Sequence, residues 1–183
     1  NPMFVLSFGI RGIDSNQYTA VYFPEEEFLV NRISYPCTFS PTNGPKGHWS
    51  MQAEITCAKN SETWNRSDEE ILAHTKQGLK SRNLLPNDDA IVYERIDRIE
   101  RSYVVYNVGY EENIKKVRDW FASIGIHLLG RFSYFEYINV DMAVDRALKL
   151  AATLNGDNAD CQQTKSHYLK NALKFMRSEP CPM

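Results

Sequence analysis

Four short runs crowded with β-branched and aromatic side chains fill the first 58 positions, and no other feature constrains the fold of this 183-residue chain as much. They are residues 4–10, 18–23, 28–35 and 49–58. Val, Ile, Tyr, Phe and Trp suit a pleated, half-buried surface. The turn-formers from Gly12 to Asn16, Pro24 to Glu27 and Pro41 to Pro45 separate the runs. Short strands in succession predict an antiparallel meander. Residues 91–106 predict a further strand, with Glu94, Asp97 and Glu100 spaced through it.

Helical signals follow. Ser67-Asp68-Glu69-Glu70 is a capping box ahead of Ile71, Leu72 and Leu79. It predicts a helix ending between Leu79 and Arg82, with Pro86 beyond. A second helix is expected over 111–123, with an apolar face of Ile114, Val117, Trp120, Phe121 and Ile124 and with Gly125 at its C′ position. Residues 126–129 read as a short strand leading into Gly130-Arg131. A third helix starts near Asn139, a good N-cap residue. It buries a stripe of Met142, Ala143, Ala147, Leu150, Ala151 and Leu154 and closes at Asn155-Gly156. Residues 157–160 read as a linker to a last amphipathic helix, whose Lys165, Lys170, Lys174 and Arg177 form a solvated face. The fold class expected is α+β: an antiparallel sheet with packing helices, then a C-terminal strand–loop–helix. The organisation expected is one portion over 1–156 and a tail over 157–183.

Composition excludes several classes of function. A net charge of −2 gives no electrostatic reason for a nucleic-acid or membrane partner. No run approaches the roughly 18 apolar residues of a spanning helix, and no secretory leader precedes the first strand. Cys37, Cys57, Cys161 and Cys181 form no C-x-x-C pair and lie at no ligand spacing from a His, which argues against zinc. Reduced, cytoplasmic thiols are the expectation. The chain enters its first strand directly after Asn1-Pro2, as the middle of a protein does. His74, His127 and His167 have no carboxylate or nucleophile spaced to make a triad.

The most informative segment for function runs from Gly130 to Met142. It joins a predicted strand to a helix N-terminus, where unpaired N–H groups and the positive dipole end favour an anion. Gly130 permits close backbone approach, and Arg131 can add a forked contact. A plain strand–turn–helix in which Asn139 and Asp141 merely cap explains the same residues.

Gly130-Arg131, five residues, then Tyr137-Ile138-Asn139-Val140-Asp141-Met142 before an Ala/Leu-rich helix resembles the C-terminal flavin segment of the UDP-galactopyranose mutases. Related amine-oxidase-like flavoproteins share its plan. Ser133 stands where the mutases usually carry Gly, and Asn139 where they often carry Asp. Upstream, Val21 to Pro24 and residues 28–35 resemble the family's hairpin, which ends in an Asn-Arg or Thr-Arg pair. Ser102 to Tyr106 resembles a Tyr-Pro-Ile-Tyr stretch, with Val104 in place of Pro. The resemblance covers about residues 3–156.

What it implies is a flavin-dependent ring contraction of a UDP-sugar, in polysaccharide or lipopolysaccharide biosynthesis. Arg32 would hold the substrate diphosphate, Tyr103 would line the substrate pocket, and Tyr137 would sit near diphosphate or flavin. Gly130, Arg131, Asn139, Val140, Asp141 and Met142 would contact FAD. No residue is expected to carry the covalent step itself, and no metal is implied. Each residue has a plainer reading: Arg32 as a cation laid across a sheet near Glu25 to Glu27, the tyrosines as packing, and His48-Trp49 as surface-loop aromatics. The family's G-x-G-x-x-G, which brings a helix N-terminus to the FAD pyrophosphate, does not occur here. The expected partner is therefore a separate N-terminal FAD-binding half. Two alternatives stay open: part of an amine-oxidase or protoporphyrinogen-oxidase-like oxidoreductase, and a non-catalytic binding module.

Overall fold

The structure is a computed structural model that describes residues 1–13, 18–40 and 42–156. The expected linker and last helix, with Cys161, His167 and Cys181, lie outside the described residues. The chain divides into two compact units, Asn1–Tyr103 and Val104–Met183.

The first unit is built on β1 (Met3–Arg11), whose side chains alternate in burial. Phe4, Leu6, Phe8 and Ile10 are buried and join Ile33, Met51, Ala53 and Ile55 in one core. Each of these side chains larger than Ala53 contributes about 1.5–3 kcal/mol when removed from water. β1 pairs antiparallel with β4 (His48–Thr56) on one side and with β5 (Ile91–Ile99) on the other. β2 (Ala20–Tyr22) and β3 (Arg32–Ser34) complete an antiparallel sheet of order β2-β3-β4-β1-β5.

That order corrects the simple meander. Only β2, β3 and β4 follow one another in space, and β1 sits between β4 and β5. The most apolar strand takes a central position, where both its edges are paired, and the three-residue β2 and the charged β5 take the edges. The strand expected over 91–106 ends at Ile99, because Ile99 already faces Met3 and β1 has no further residues to pair. Beyond it, Ser102 N–H donates to the Asn1 carbonyl at 3.2 Å. The strand expected over 28–35 is limited to β3, and Pro36 opens a one-turn helix, α1 (Pro36–Phe39). His48 and Trp49 open β4 instead of lying in a loop, and Trp49 packs on Tyr35 at 6.1 Å.

α2 (Glu62–Asn65) and α3 (Asp68–Ser81) cover the apolar face. The capping box is present: Glu70 N–H donates to Ser67 Oγ at 3.2 Å and Ser67 N–H donates to Glu70 Oε2 at 2.8 Å. Arg98 of β5 ties this corner to the sheet. It donates to Asp68 and to the Trp64 carbonyl, and its guanidinium lies over Phe4 and Trp64 at 4.7 and 5.5 Å. His74 accepts from the Leu29 N–H at 3.3 Å, and burial followed by the charges of Arg66 and Arg82 pushes the ring's pKa down, keeping that acceptor neutral.

In the second unit α4 (Tyr110–Ser123), α5 (Arg131–Tyr134) and α6 (Val140–Leu154) are joined by irregular segments. Gly125 takes φ +76° just past α4, as its C′ role requires. Residues 126–129, expected as a strand, form no ladder among the described residues. Ser133 instead occupies both backbone groups of Leu129 through its hydroxyl. The stripe expected to be buried on α6 is not: neither α4 nor α6 has a buried residue, with Trp120 58% and Leu154 61% exposed. The described residues supply no apolar layer to cover these faces.

Gly78 is where α3 meets Phe28. A Cβ there would lie 2.3 Å from Phe28 Cε2, and that ring is fixed by Phe23 edge-on at 5.1 Å and by Arg82 at 4.2 Å. Alanine gains about 1 kcal/mol of helix propensity, but overpacking costs about 1–3 kcal/mol. Gly78→Ala is expected to lower stability by about 1 kcal/mol in urea unfolding, and a variant more stable than the parent would show the ring free to move aside.

Candidate functional site

The sheet's second face is polar. Strand alternation places Ser7, Ser34, Gln52, Glu54, Arg95 and Asp97 there, opposite the core. Within it, register aligns three residues in one row: Tyr22 faces Arg32, and Arg32 faces Glu54. Arg32 Nη2 donates to Glu54 Oε1, and its guanidinium lies 5.9 Å from the centre of the Tyr22 ring. The pair is shielded, with side chains 32% and 15% exposed. The hydrogen bond to Glu54 raises the Arg32 pKa most, against the opposing effect of burial, and Tyr22 and Tyr103 add to the rise. Arg32 Nε is buried and has no hydrogen-bond partner. The structure thus brings together Arg32 and Tyr103, two of the three expected substrate contacts. Arg32 itself is paired with Glu54 on the neighbouring strand, not laid against Glu25 to Glu27.

The remaining expected residues all lie in the second unit. Gly130 takes φ +94°, a value that favours glycine, and nothing lies within 4 Å of where its Cβ would be. The chain then makes α5, turns at Phe135 in the left-handed region at φ +53°, and enters α6 at Asn139. A bulky residue in that region is strained, and its neighbours hold it. Tyr110 Oη donates to the Phe135 carbonyl, Arg118 Nη2 to the Tyr134 carbonyl, and Glu136 N–H to the Arg131 carbonyl at 3.0 Å. Tyr137 N–H donates to Tyr106 Oη at 2.5 Å, and the Arg131 guanidinium lies 4.1 Å from the centre of the Tyr137 ring.

Glu136 is the electrostatic centre of this loop. Arg118 reaches one carboxylate oxygen at 2.9 Å and Arg146 the other at 2.7 Å. Both guanidinium groups also lie over the Tyr134 ring, at 4.6 and 5.1 Å. Burial alone would push the carboxyl pKa up, but contacts to Arg146 and then Arg118 outweigh it and hold it below the ordinary range. A cavity of about 630 Å³ opens beside this clamp, lined by Arg118, Leu128, Tyr134, Arg146 and Leu150 among others, and none of the expected binding residues lines it.

Asn139 stands at the N-cap of α6, as expected, but its side chain makes no capping hydrogen bond. The N–H groups of Val140, Asp141 and Met142 are therefore left for another acceptor. Asp141 places a carboxylate in the same first turn. Among the described residues no cluster of His, Cys, Asp or Glu has the makings of a metal site, and no helix is long and apolar enough to cross a membrane.

No protein-family model matches the chain, and no curated protein matches it. Solved structures do. A crystal structure of reduced UDP-galactopyranose mutase aligns with TM-score 0.66 and 24% identity over 87% of this chain and 35% of its own. A putative protoporphyrinogen oxidase from Exiguobacterium sp. 255-15 aligns with TM-score 0.54 and 16% identity, over 71% of this chain and 29% of its own. The likeness is one of fold. The chain spans about a third of the length of these solved structures.

Two residues of the candidate site, Tyr22 and Glu54, were not visible in the sequence reading. A signal for them existed: opposite charges on neighbouring strands stabilise a register, but the register had to be known first. In the second unit, Glu136→Ala should leave Arg118 and Arg146 facing each other unpaired, with a net loss of about 1–2 kcal/mol for so half-buried a network. Amide exchange over 130–139 should accelerate about tenfold, the equivalent of about 1.4 kcal/mol. Unchanged exchange would show that the loop is held by its aromatic contacts alone.

Proposed function

We propose that this chain is the substrate-side and C-terminal portion of a flavoenzyme that acts on a UDP-sugar. Its Arg32 would receive the diphosphate, and FAD would be held jointly with polypeptide outside the chain. The observation that carries this reading is the Tyr22–Arg32–Glu54 row with Tyr103 beside it. It presents an arginine with a buried, unpartnered Nε on a polar sheet face, in a fold shared with a UDP-galactopyranose mutase. Arg is the side chain best shaped for forked phosphate contacts. A departing UDP concentrates charge on its diphosphate, where a preset guanidinium lowers the barrier. Tyr103 and Tyr137 would line the pocket, and a reduced, cytoplasmic setting fits free Cys37 and Cys57.

The residues expected to contact FAD fit that group in two respects. The space beside Gly130 is open, and the first N–H groups of α6 have no side-chain cap. Asp141 tips the preference of that helix end toward a neutral carbonyl acceptor and away from a phosphate, since it places negative charge within the first turn. Gly130 and Arg131 would border the flavin, and Asn139, Val140, Asp141 and Met142 would meet it through the backbone. When bound, the flavin supplies the covalent chemistry at the sugar, and this chain's residues orient the substrate and hold charge. The uncovered apolar faces of α4 and α6 favour the same partner, a glycine-rich FAD-binding half. An oxidase-type reading rests on the second structural likeness and predicts no role for Arg32 in binding an anion.

Two measurements test the proposal. In the protein carrying its flavin, Arg32→Ala should weaken UDP binding at least tenfold, or about 1.4 kcal/mol, by titration calorimetry. Unchanged affinity removes Arg32 from the site and favours the oxidase reading. The 183-residue chain alone should purify without flavin; a yellow preparation with near-stoichiometric FAD would contradict the need for a second half.

A further inference from the structure

We infer that Glu54 is a positioning residue for Arg32, holding the guanidinium against the sheet so that its remaining donors are aimed at the substrate's diphosphate. This inference rests on the substrate-side reading above. Register places the two residues directly opposite on β3 and β4, so their backbones are fixed before any ligand arrives. The contact runs from Nη2 to Oε1, and Arg32 Nε is buried without a partner. A cross-strand pair serving stability alone would engage two N–H groups of one edge at once, the usual bidentate geometry. Here Glu54 engages Nη2 alone, and Nε on the same edge is kept dry and unmatched, which marks an incomplete hydrogen-bond shell.

The surroundings fit a holder rather than a competitor. Glu54 is 15% exposed and Arg32 32%, so the carboxylate is the more recessed partner and the guanidinium the more outward one. Tyr22 lies against the guanidinium, and Tyr103 is close enough to influence it electrostatically. Arginine otherwise loses much side-chain freedom when it binds a phosphate. A recessed carboxylate that restricts it beforehand lowers that loss. The pair is also close to neutral as a unit, so selectivity comes from the fork's geometry at short range, with little long-range pull on other anions.

The test is UDP titration of the flavin-bearing protein with a graded series at one position. Glu54→Gln keeps an oxygen acceptor for Nη2 and should bind UDP within threefold of the parent or tighter. Glu54→Ala removes the anchor and should bind at least tenfold more weakly. The Arg32 Nε–Hε signal in a nitrogen-edited NMR spectrum should stay sharp in the glutamine variant and broaden in the alanine variant. The exchange variant Arg32→Glu with Glu54→Arg restores an ion pair and stability, but it moves the guanidinium to β4 and should not restore binding. An alanine variant that binds as well as the parent, equal losses in alanine and glutamine, or full binding by the exchange variant overturns the positioning role. If Arg32→Ala itself binds UDP like the parent, the substrate-side reading fails first and the role of Glu54 falls with it.

Discussion

The first unit depends on the two-sidedness of β1. Phe4, Leu6, Phe8 and Ile10 face the core, while Val5, Ser7 and Gly9 face the other way. Both edges of the strand are occupied, so a slip of one residue would turn the whole apolar set outward on two ladders at once. The polar face is therefore as firmly specified as the core, and Arg32 inherits that precision through β4. Gly9 shows how tight the arrangement is: a Cβ there would lie 3.0 Å from Tyr93 Cβ, so the glycine leaves room for a tyrosine to cross it.

Most local features were legible before the structure. The capping box at Ser67, the glycines that end α4 and α6, and the α+β composition depend on neighbours within a few residues in sequence. The strand order did not, because it depends on which strand gains most from being central, and that comparison spans the chain. Ladder length was hidden for a similar reason: nothing in residues 100–106 says that β1 has already run out at Met3. The candidate site divides the same way. Arg32, Tyr103 and the residues from Gly130 to Met142 were reached through resemblance, whereas Tyr22 and Glu54 follow from a register that only the folded sheet supplies.

The second unit is held by different physics. Among the described residues its helices α4 and α6 bury none, although their sequences carry apolar stripes of the usual period. Beside the buried Val104 and Ile138, its described residues set Glu136 between two arginines, Tyr134 beneath both guanidinium groups, and the Tyr106–Tyr110–Phe135 aromatics, with ring centres 4.6 and 5.9 Å apart. Such contacts fix the path of a loop but contribute less than buried hydrocarbon. A stripe that is apolar in sequence and exposed in the fold reports what the residue types are suited to, and the partner layer decides whether that suitability is used.

Electrostatics assigns different chemistry to the two units. In the sheet unit a shielded arginine keeps an unmatched donor, and the nearest carboxylate is already engaged with it. At the start of α6 the donors are backbone N–H groups, and the nearest carboxylate, Asp141, sits in the first turn. A phosphate brought to the helix end would gain the dipole and lose much of that gain to Asp141, whereas a neutral carbonyl gains hydrogen bonds at little electrostatic cost. A phosphate brought to Arg32 gains forked contacts from a cation whose position is already fixed. The sheet unit thus offers a cation to an anionic group, and the helix start offers neutral backbone donors to an uncharged acceptor.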